Sequence, residues 1–176
     1  MLFVGTSIIH HSTEGVFLLC NILDLLIYSI LPIEEVHTLL LEVHRLHQQN
    51  RPDFYRDADP MNRQEFLEML ENPAMFTLVA EEDGKVAGYC TVTMREPSAN
   101  PVLQPRRIAW MEELCVAAGY RRRGIGEILM KAAECEAKQR GAEKIELMVW
   151  AFNDSAENFY QKMGMSPRAS IMEKTL

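Results

Sequence analysis

The chain has 176 residues, 48% hydrophobic and 24% charged, the size and make-up of one globular domain, which excludes wholesale disorder. Eighteen Lys and Arg against 25 Asp and Glu leave a net charge of −7, which argues against non-specific nucleic-acid binding and suits small cationic substrates. Cys20, Cys90, Cys115 and Cys135 form no CxxC, so neither a zinc knuckle nor a dithiol redox pair is expected, and free thiols in a reducing cytoplasm are.

In chain order, Leu2 to Ile9 is expected as a strand and Gly15 to Ile30 as a strand or a helix. No Lys or Arg precedes Arg45, while Glu14, Asp24, Glu34, Glu35 and Glu42 are acidic, which disfavours a signal or transit peptide. The apolar run from Val16 to Ile33 is shorter than the ~20 residues of a spanning helix, and Asn21 and Asp24 interrupt it. A buried element is expected there rather than a membrane anchor.

Val36, Leu39, Leu40, Val43 and Leu46 repeat at helical spacing, so Glu34 to Gln49 reads as an amphipathic helix that stops before Arg51-Pro52. A polar loop follows to Pro60. Asn62 then caps a second helix, with Glu65 completing a capping box and Phe66, Leu67 and Leu70 on its apolar side. Met75 to Ala80 and Val86 to Met94 read as a hairpin around Asp83-Gly84. After a loop from Glu96 to Pro105 come a strand at Ile108 to Val116, a turn at Gly119 to Arg123 and a helix at Gly124 to Arg140 ended by Gly141. Lys144 to Trp150 reads as a strand, Asp154 to Met163 as a short helix, and Met165 to Glu173 as a last strand. There is no internal repeat or linker, so residues 1–176 are expected as a single mixed α/β (α+β) domain with a central, partly antiparallel sheet flanked by helices.

The segment Leu114 to Gly126 (LCVAAGYRRRGIG) runs a strand through a glycine turn into a helix. The first helical turn offers unpaired N–H groups and the positive end of the dipole, so it suits an anion, commonly a phosphate. A Walker A loop is excluded, because Ile125-Gly126 stands where Lys-Ser/Thr belongs. The dinucleotide fingerprint fails at Leu129. The alternative is a plain turn with three arginines in solvent.

Arg121, Gly124 and Gly126 also spell R-x-x-G-x-G, and Asn153 to Met165 reads NDSAENFYQKMGM. The first resembles the acetyl-CoA signature of the Gcn5-related N-acetyltransferase (GNAT) superfamily, Q/R-x-x-G-x-G/A. The second resembles its later hallmark, an Asn followed seven residues on by a helical Tyr and then by a Gly–aliphatic pair. The resemblance extends in element order over about Glu34 to Glu173 and is sharp from Ile108 to Met165. Residues 1–33 do not resemble the family's usual opening strand and helix.

The resemblance implies the GNAT fold, acetyl-CoA as co-substrate and N-acetyl transfer. Backbone N–H groups around Arg122, Arg123, Gly124, Ile125, Gly126 and Glu127 would cradle the pyrophosphate, with the arginine cluster of Arg121, Arg122 and Arg123 adding charge. Leu114, Cys115 and Val116 match the splayed strand edge that pairs with the pantetheine arm and donates an N–H to the oxyanion. Asn153 and Asn158 match the second hallmark and are expected beside the coenzyme. Tyr160 is the implied proton donor to the departing thiolate, facing the cleft while Phe159 faces the core. The alternative for Tyr160 is an interfacial core tyrosine.

Glu112 and Glu113 resemble an acidic couplet in polyamine- and glucosamine-phosphate-type members. A regular strand would aim only one at the cleft, and Glu112 is preferred as the base with Glu113 in reserve. Solvated strand carboxylates are the alternative. The ribosomal-protein N-terminal acetyltransferases use a Glu five residues before the Asn, where this chain has Met148. His44, His47, Arg51, Asp53, Phe54 and Tyr55 lie where the family lines its acceptor pocket. His44 and His47 share a helical face without further ligands, so no metal is expected. The expected acceptor is a small primary amine of polyamine, amino-sugar or amino-acid type. A protein lysine or N-terminus, or a non-catalytic acyl-CoA sensor, is the alternative. No nucleic-acid or membrane partner is expected, and a homodimer is left open.

Overall fold

The computed structural model describes residues 5–12, 15–18 and 32–176 of the chain. Its organising element is the hairpin of β3 (Met75–Glu82) and β4 (Lys85–Arg95). Asp83 and Gly84 join the strands with φ of 54° and 70°, the two left-handed residues that a two-residue turn needs to match the strand twist. β5 (Ile108–Val116) pairs antiparallel with β4. α3 (Ile125–Gln139) then crosses over to β6 (Lys144–Glu146), which runs parallel to β5. On the other side, β1 (Gly5–Ser12) pairs parallel with β3, and β2 (Gly15–Leu18) pairs antiparallel with β1. The strand order is β2-β1-β3-β4-β5-β6.

Alternation along the strands divides the core between two faces. Phe76, Leu78, Cys90, Val92, Ala109 and Met111 pack against Ile125, Leu129, Met130 and Ala133 of α3. Val79, Val86, Tyr89 and Cys115 pack on the opposite face with α1 (Ile33–Asn50) and α2 (Arg63–Glu71). The predicted capping box is present. Asn62 accepts from Gln64 N at 2.9 Å and Glu65 N at 3.1 Å, and Glu65 accepts from Asn62 N at 2.8 Å. Gly141, at φ 83°, follows the end of α3 as expected. α4 (Asp154–Lys162) closes the regular structure.

Two expectations change. The strand expected over Lys144 to Trp150 ends at Glu146, because its pairing stops at Trp110↔Glu146 and β5 bulges just beyond. Met165 to Glu173 is not a strand. It meets no ladder to satisfy its backbone, leaves Ile171 and Met172 exposed, and is tethered by ion pairs from Arg168 to Glu146 and from Glu173 to Arg51. Of the expected strand Leu2–Ile9 the described part, Gly5–Ile9, is strand and runs on to Ser12, and of the two alternatives for Gly15–Ile30 the described part, Gly15–Leu18, is strand. The remainder of the apolar run, residues 19–31, lies outside the described residues. Among the described residues, no helix is long and apolar enough to cross a membrane.

Candidate active site

β5 is the axis of the site. It pairs with β6 only over Ile108 to Trp110 and with β4 as far as Val116. From Met111 to Val116 its β6-facing edge has no strand partner among the described residues, so Leu114, Cys115 and Val116 sit on a splayed edge. Gly88 of β4 lies opposite Val116, and a Cβ there would stand 2.6 Å from the Cys115 carbonyl oxygen. Only glycine lets the two backbones and α3 meet so closely. The sequence reading missed Gly88, although a lone glycine inside a strand pattern is the available signal for such an approach.

On the α3 side of this edge stands the helix start. Gly124 is the N-cap at φ 85°, with no atom within 4 Å of where a Cβ would be, and Arg122 is also left-handed at φ 65°. No side chain caps the helix, so the N–H groups of Ile125, Gly126 and Glu127 leave the first turn unpartnered. The arginines divide. Arg121 donates from Nε to the Val116 carbonyl at 3.0 Å. Arg123 pairs with Glu82 at 3.2 Å and lies over Tyr120. Among the described residues Arg122 is unpaired, leaving it free for an anion. Gly126 serves packing too, since a Cβ there would meet Phe159 Cζ at 3.3 Å and Val116 Cγ2 at 3.6 Å. The Glu127 side chain pairs with Lys131 at 2.6 Å, so its contribution to the helix start is its backbone N–H.

Phe159 and Tyr160 were expected to face apart, but both are half-buried and pack against the α3-side core, edge to face at 5.1 Å. Burial, then Cys90, pushes the Tyr160 hydroxyl up to about 12, so it stays protonated across the ordinary pH range. Among the described residues that hydroxyl has no hydrogen-bond partner. Asn153 caps α4, accepting from Ala156 N at 3.1 Å. Asn158 is exposed and donates to the Asp154 carbonyl at 2.7 Å, which is a helix-surface role.

On the opposite face, the alternation argument for Glu112 and Glu113 fails. Thr91 pairs with Glu113 and Val92 with Met111, so Glu112 is the extra residue of a β-bulge. Both carboxylates therefore line one cavity of about 360 Å3, with Leu40, Met61, Phe66, Met69, Met75, Tyr89 and Thr91. Their environments differ. Glu113 accepts from the buried Tyr89 hydroxyl, and burial raises its pKa above the ordinary carboxylate range against the opposing pull of Tyr89. Glu112 is exposed, accepts from Thr93 Oγ1 at 2.7 Å and lies 3.8 Å from Arg95. Cys115 points into the α1 packing with its thiol pushed up to about 12 by burial, so it is no nucleophile.

His44, His47, Arg51, Asp53, Phe54 and Tyr55 gather with Trp150 and Phe152, and none of them lines the cavity that holds Glu112 and Glu113. Trp150 Nε1 donates to Tyr55 Oη at 2.9 Å, and His47 stacks on Tyr55 at 5.2 Å. Arg51 pairs with Asp53 at 2.7 Å and Glu173 at 2.9 Å while lying 4.9 Å over the Trp150 ring. His44 is bound to the Arg56 carbonyl at 2.8 Å. Among the described residues no His, Cys, Asp and Glu cluster forms a metal site.

Comparison with known proteins agrees with this fold. The profile of the acetyltransferase (GNAT) family matches residues 40–165. A candidate ribosomal protein bS18-alanine N-acetyltransferase of Bacillus subtilis (strain 168) is 32% identical over 111 residues, 62% of this chain and 67% of that protein. The L-ornithine N5-acetyltransferase NATA1 of Arabidopsis thaliana is 26% identical over 141 residues, covering 76% of this chain and 58% of that protein. The crystal structure of a mutant BH1408 protein from Bacillus halodurans superposes with a TM-score of 0.78 at 30% identity, covering 81% of this chain and 92% of that one.

Proposed function

The chain belongs to the acetyltransferase (GNAT) family, and from that premise we propose that it transfers the acetyl group of acetyl-CoA to the primary amine of a small molecule. The observation that carries this reading is the splayed β5 edge, with an uncapped helix start on one side and two carboxylates on the other. The residues fit the coenzyme. The unpartnered N–H groups of Ile125, Gly126 and Glu127, with Arg122, suit a pyrophosphate, and the Leu114–Val116 edge suits an amide-rich arm. Acetyl-CoA, the donor the family uses, supplies the thioester carbon that the amine attacks.

Glu113 is the base. Its raised pKa brings it closer to the working pH than an ordinary carboxylate, and it takes a proton from the incoming ammonium to free the lone pair. Glu112, beside it, holds the cation in place. An N–H on the Leu114–Val116 edge stabilises the oxyanion of the tetrahedral intermediate. Tyr160 gives its proton to the departing sulfur and regains one from the proton the nitrogen loses as the amide forms. Acid, base and oxyanion donor are all protein groups, so no metal is assigned a role. The free thiols of Cys90, Cys115 and Cys135 support a reducing, cytoplasmic setting.

The second reading, a peptide α-amine as acceptor, is favoured by the similarity to the bS18-alanine acetyltransferase candidate. Released CoA measured over a panel of small amines and N-terminal peptides tests both. Turnover of small amines supports the proposal, and turnover of peptides alone replaces it with the second reading. Tight acetyl-CoA binding without CoA release from any acceptor makes the chain an acyl-CoA sensor.

A further inference from the structure

The cavity that holds Glu112 and Glu113 has an uneven lining. Its polar groups, the carboxylates, Tyr89 and Thr91, come from the paired strands β4 and β5, and the rest of its wall is Leu40, Phe66 and three methionines, Met61, Met69 and Met75. Phe66 is 2% and Leu40 4% exposed, so this part of the wall is core-like, and the three methionines are half-buried. Thr91 is already matched with Thr77 at 3.3 Å, and Tyr89 is spent on Glu113. Along the apolar wall, therefore, no lining side chain among the described residues carries a hydrogen-bonding group for a second polar centre in an acceptor.

From this we propose that the acceptor is an amine with one cationic head and an apolar aliphatic or aromatic body, without a second charge and without a carboxylate beside the amine. The proposal rests on the acetyltransferase reading and narrows it. The two carboxylates meet the single ammonium. A second ammonium, as in a polyamine, would lie desolvated against Phe66 and the methionines with nothing to pair it. The hydroxyls of an amino sugar meet the same wall. An α-carboxylate would stand against Glu112 and Glu113 and be repelled. Methionine side chains are flexible and polarisable, so the wall adapts to aliphatic and aromatic bodies alike. The cavity lies at the small end of the ~300–1,000 Å3 range of small-molecule pockets, which limits the body to a short chain or a single ring.

The test uses the full chain with acetyl-CoA, reading released CoA. The acceptors are butylamine, pentylamine, hexylamine, 2-phenylethylamine, 1,5-diaminopentane and glucosamine. Each added methylene in the monoamine series is expected to raise kcat/KM by about fourfold until the cavity is filled. Pentylamine is expected to exceed 1,5-diaminopentane by ~10-fold or more. Met69→Glu, which places a carboxylate on the half-exposed rim of the wall, is expected to move that preference toward the diamine by a similar factor. A flat methylene series, or a diamine or glucosamine turned over as well as the monoamines, overturns the proposal while leaving acetyl transfer intact. CoA release with none of these amines, while acetyl-CoA still binds by calorimetry, removes the small-amine reading and this proposal with it.

Discussion

The two sides of β5 are built by different means. On the α3 side the candidate coenzyme site is mostly backbone: the N–H groups of one helical turn, a left-handed glycine and a strand edge. On the α1–α2 side the candidate acceptor site is side chain throughout, drawn from two helices, three strands and a loop. A backbone site needs only a short contiguous segment with glycines in the right places, and it tolerates change in most of its side chains. A side-chain site is as specific as the register and packing that assemble it. The same division places Tyr160, the proposed proton donor, with the α3-side core, and Glu113, the proposed base, on the opposite face.

Seven variants, in four sets, sharpen or break this division. The largest effect is expected for Tyr160→Phe, with kcat falling ~10- to 10³-fold, about 1.4–4 kcal/mol of barrier, and acetyl-CoA affinity unchanged within a few-fold. Because the Tyr160 hydroxyl has no partner among the described residues, its loss strands no buried group and the melting temperature should hardly move. Full single-turnover activity in the folded variant would remove Tyr160 from the mechanism.

Glu113→Gln is expected to lower kcat/KM by ~10²-fold, and Glu112→Gln by clearly less. Wild-type activity should rise with pH through a pKa above the usual carboxylate range, and that limb should vanish in Glu113→Gln. Stability should move the other way. A carboxyl whose folded pKa is raised favours the fold below its unfolded pKa, and that contribution is lost as pH rises through the folded value. At neutral pH the Gln variant should therefore melt no lower than wild type. A larger activity loss in Glu112→Gln would exchange the roles of the two carboxylates.

Gly126→Val is expected to cost ~1–3 kcal/mol of stability by overpacking against Phe159 and Val116. Gly124→Ala meets no neighbour and is expected to cost ~1–2 kcal/mol through its left-handed backbone. Denaturant titration of both separates packing from conformation. Equal stability of Gly126→Val and wild type would mean that the helix start does not rest on Phe159.

The smallest effect is expected for the arginines. Arg122→Ala should weaken acetyl-CoA binding by up to about fivefold, the range of exposed ion pairs, without changing stability. Arg123→Ala should do less to binding, because that guanidinium already faces Glu82 and Tyr120. Calorimetric titration of acetyl-CoA ranks the two, and a larger loss at Arg123 would reverse their assignment.

The sequence by itself determined whatever is written in short, contiguous segments. The helix of Ile125–Gln139 and its glycine start, the capping box at Asn62, the Asp83-Gly84 turn and the Asn153–Tyr160 spacing were legible because each depends on local dihedral preferences or on residues within a few positions. The tertiary structure alone decided what depends on strand register. The bulge that turns Glu112 and Glu113 to one cavity is a single unpaired residue opposite Thr91 and Val92, invisible to any alternation rule applied to β5 alone. Tyr89 is distant from Glu113 in the chain and meets it only through the β4–β5 ladder, and Trp150, beyond the end of β6, meets Tyr55 from 95 residues away. The segment Met165–Glu173 has the composition of a strand and is not one, because a strand exists only where a neighbouring edge accepts its hydrogen bonds.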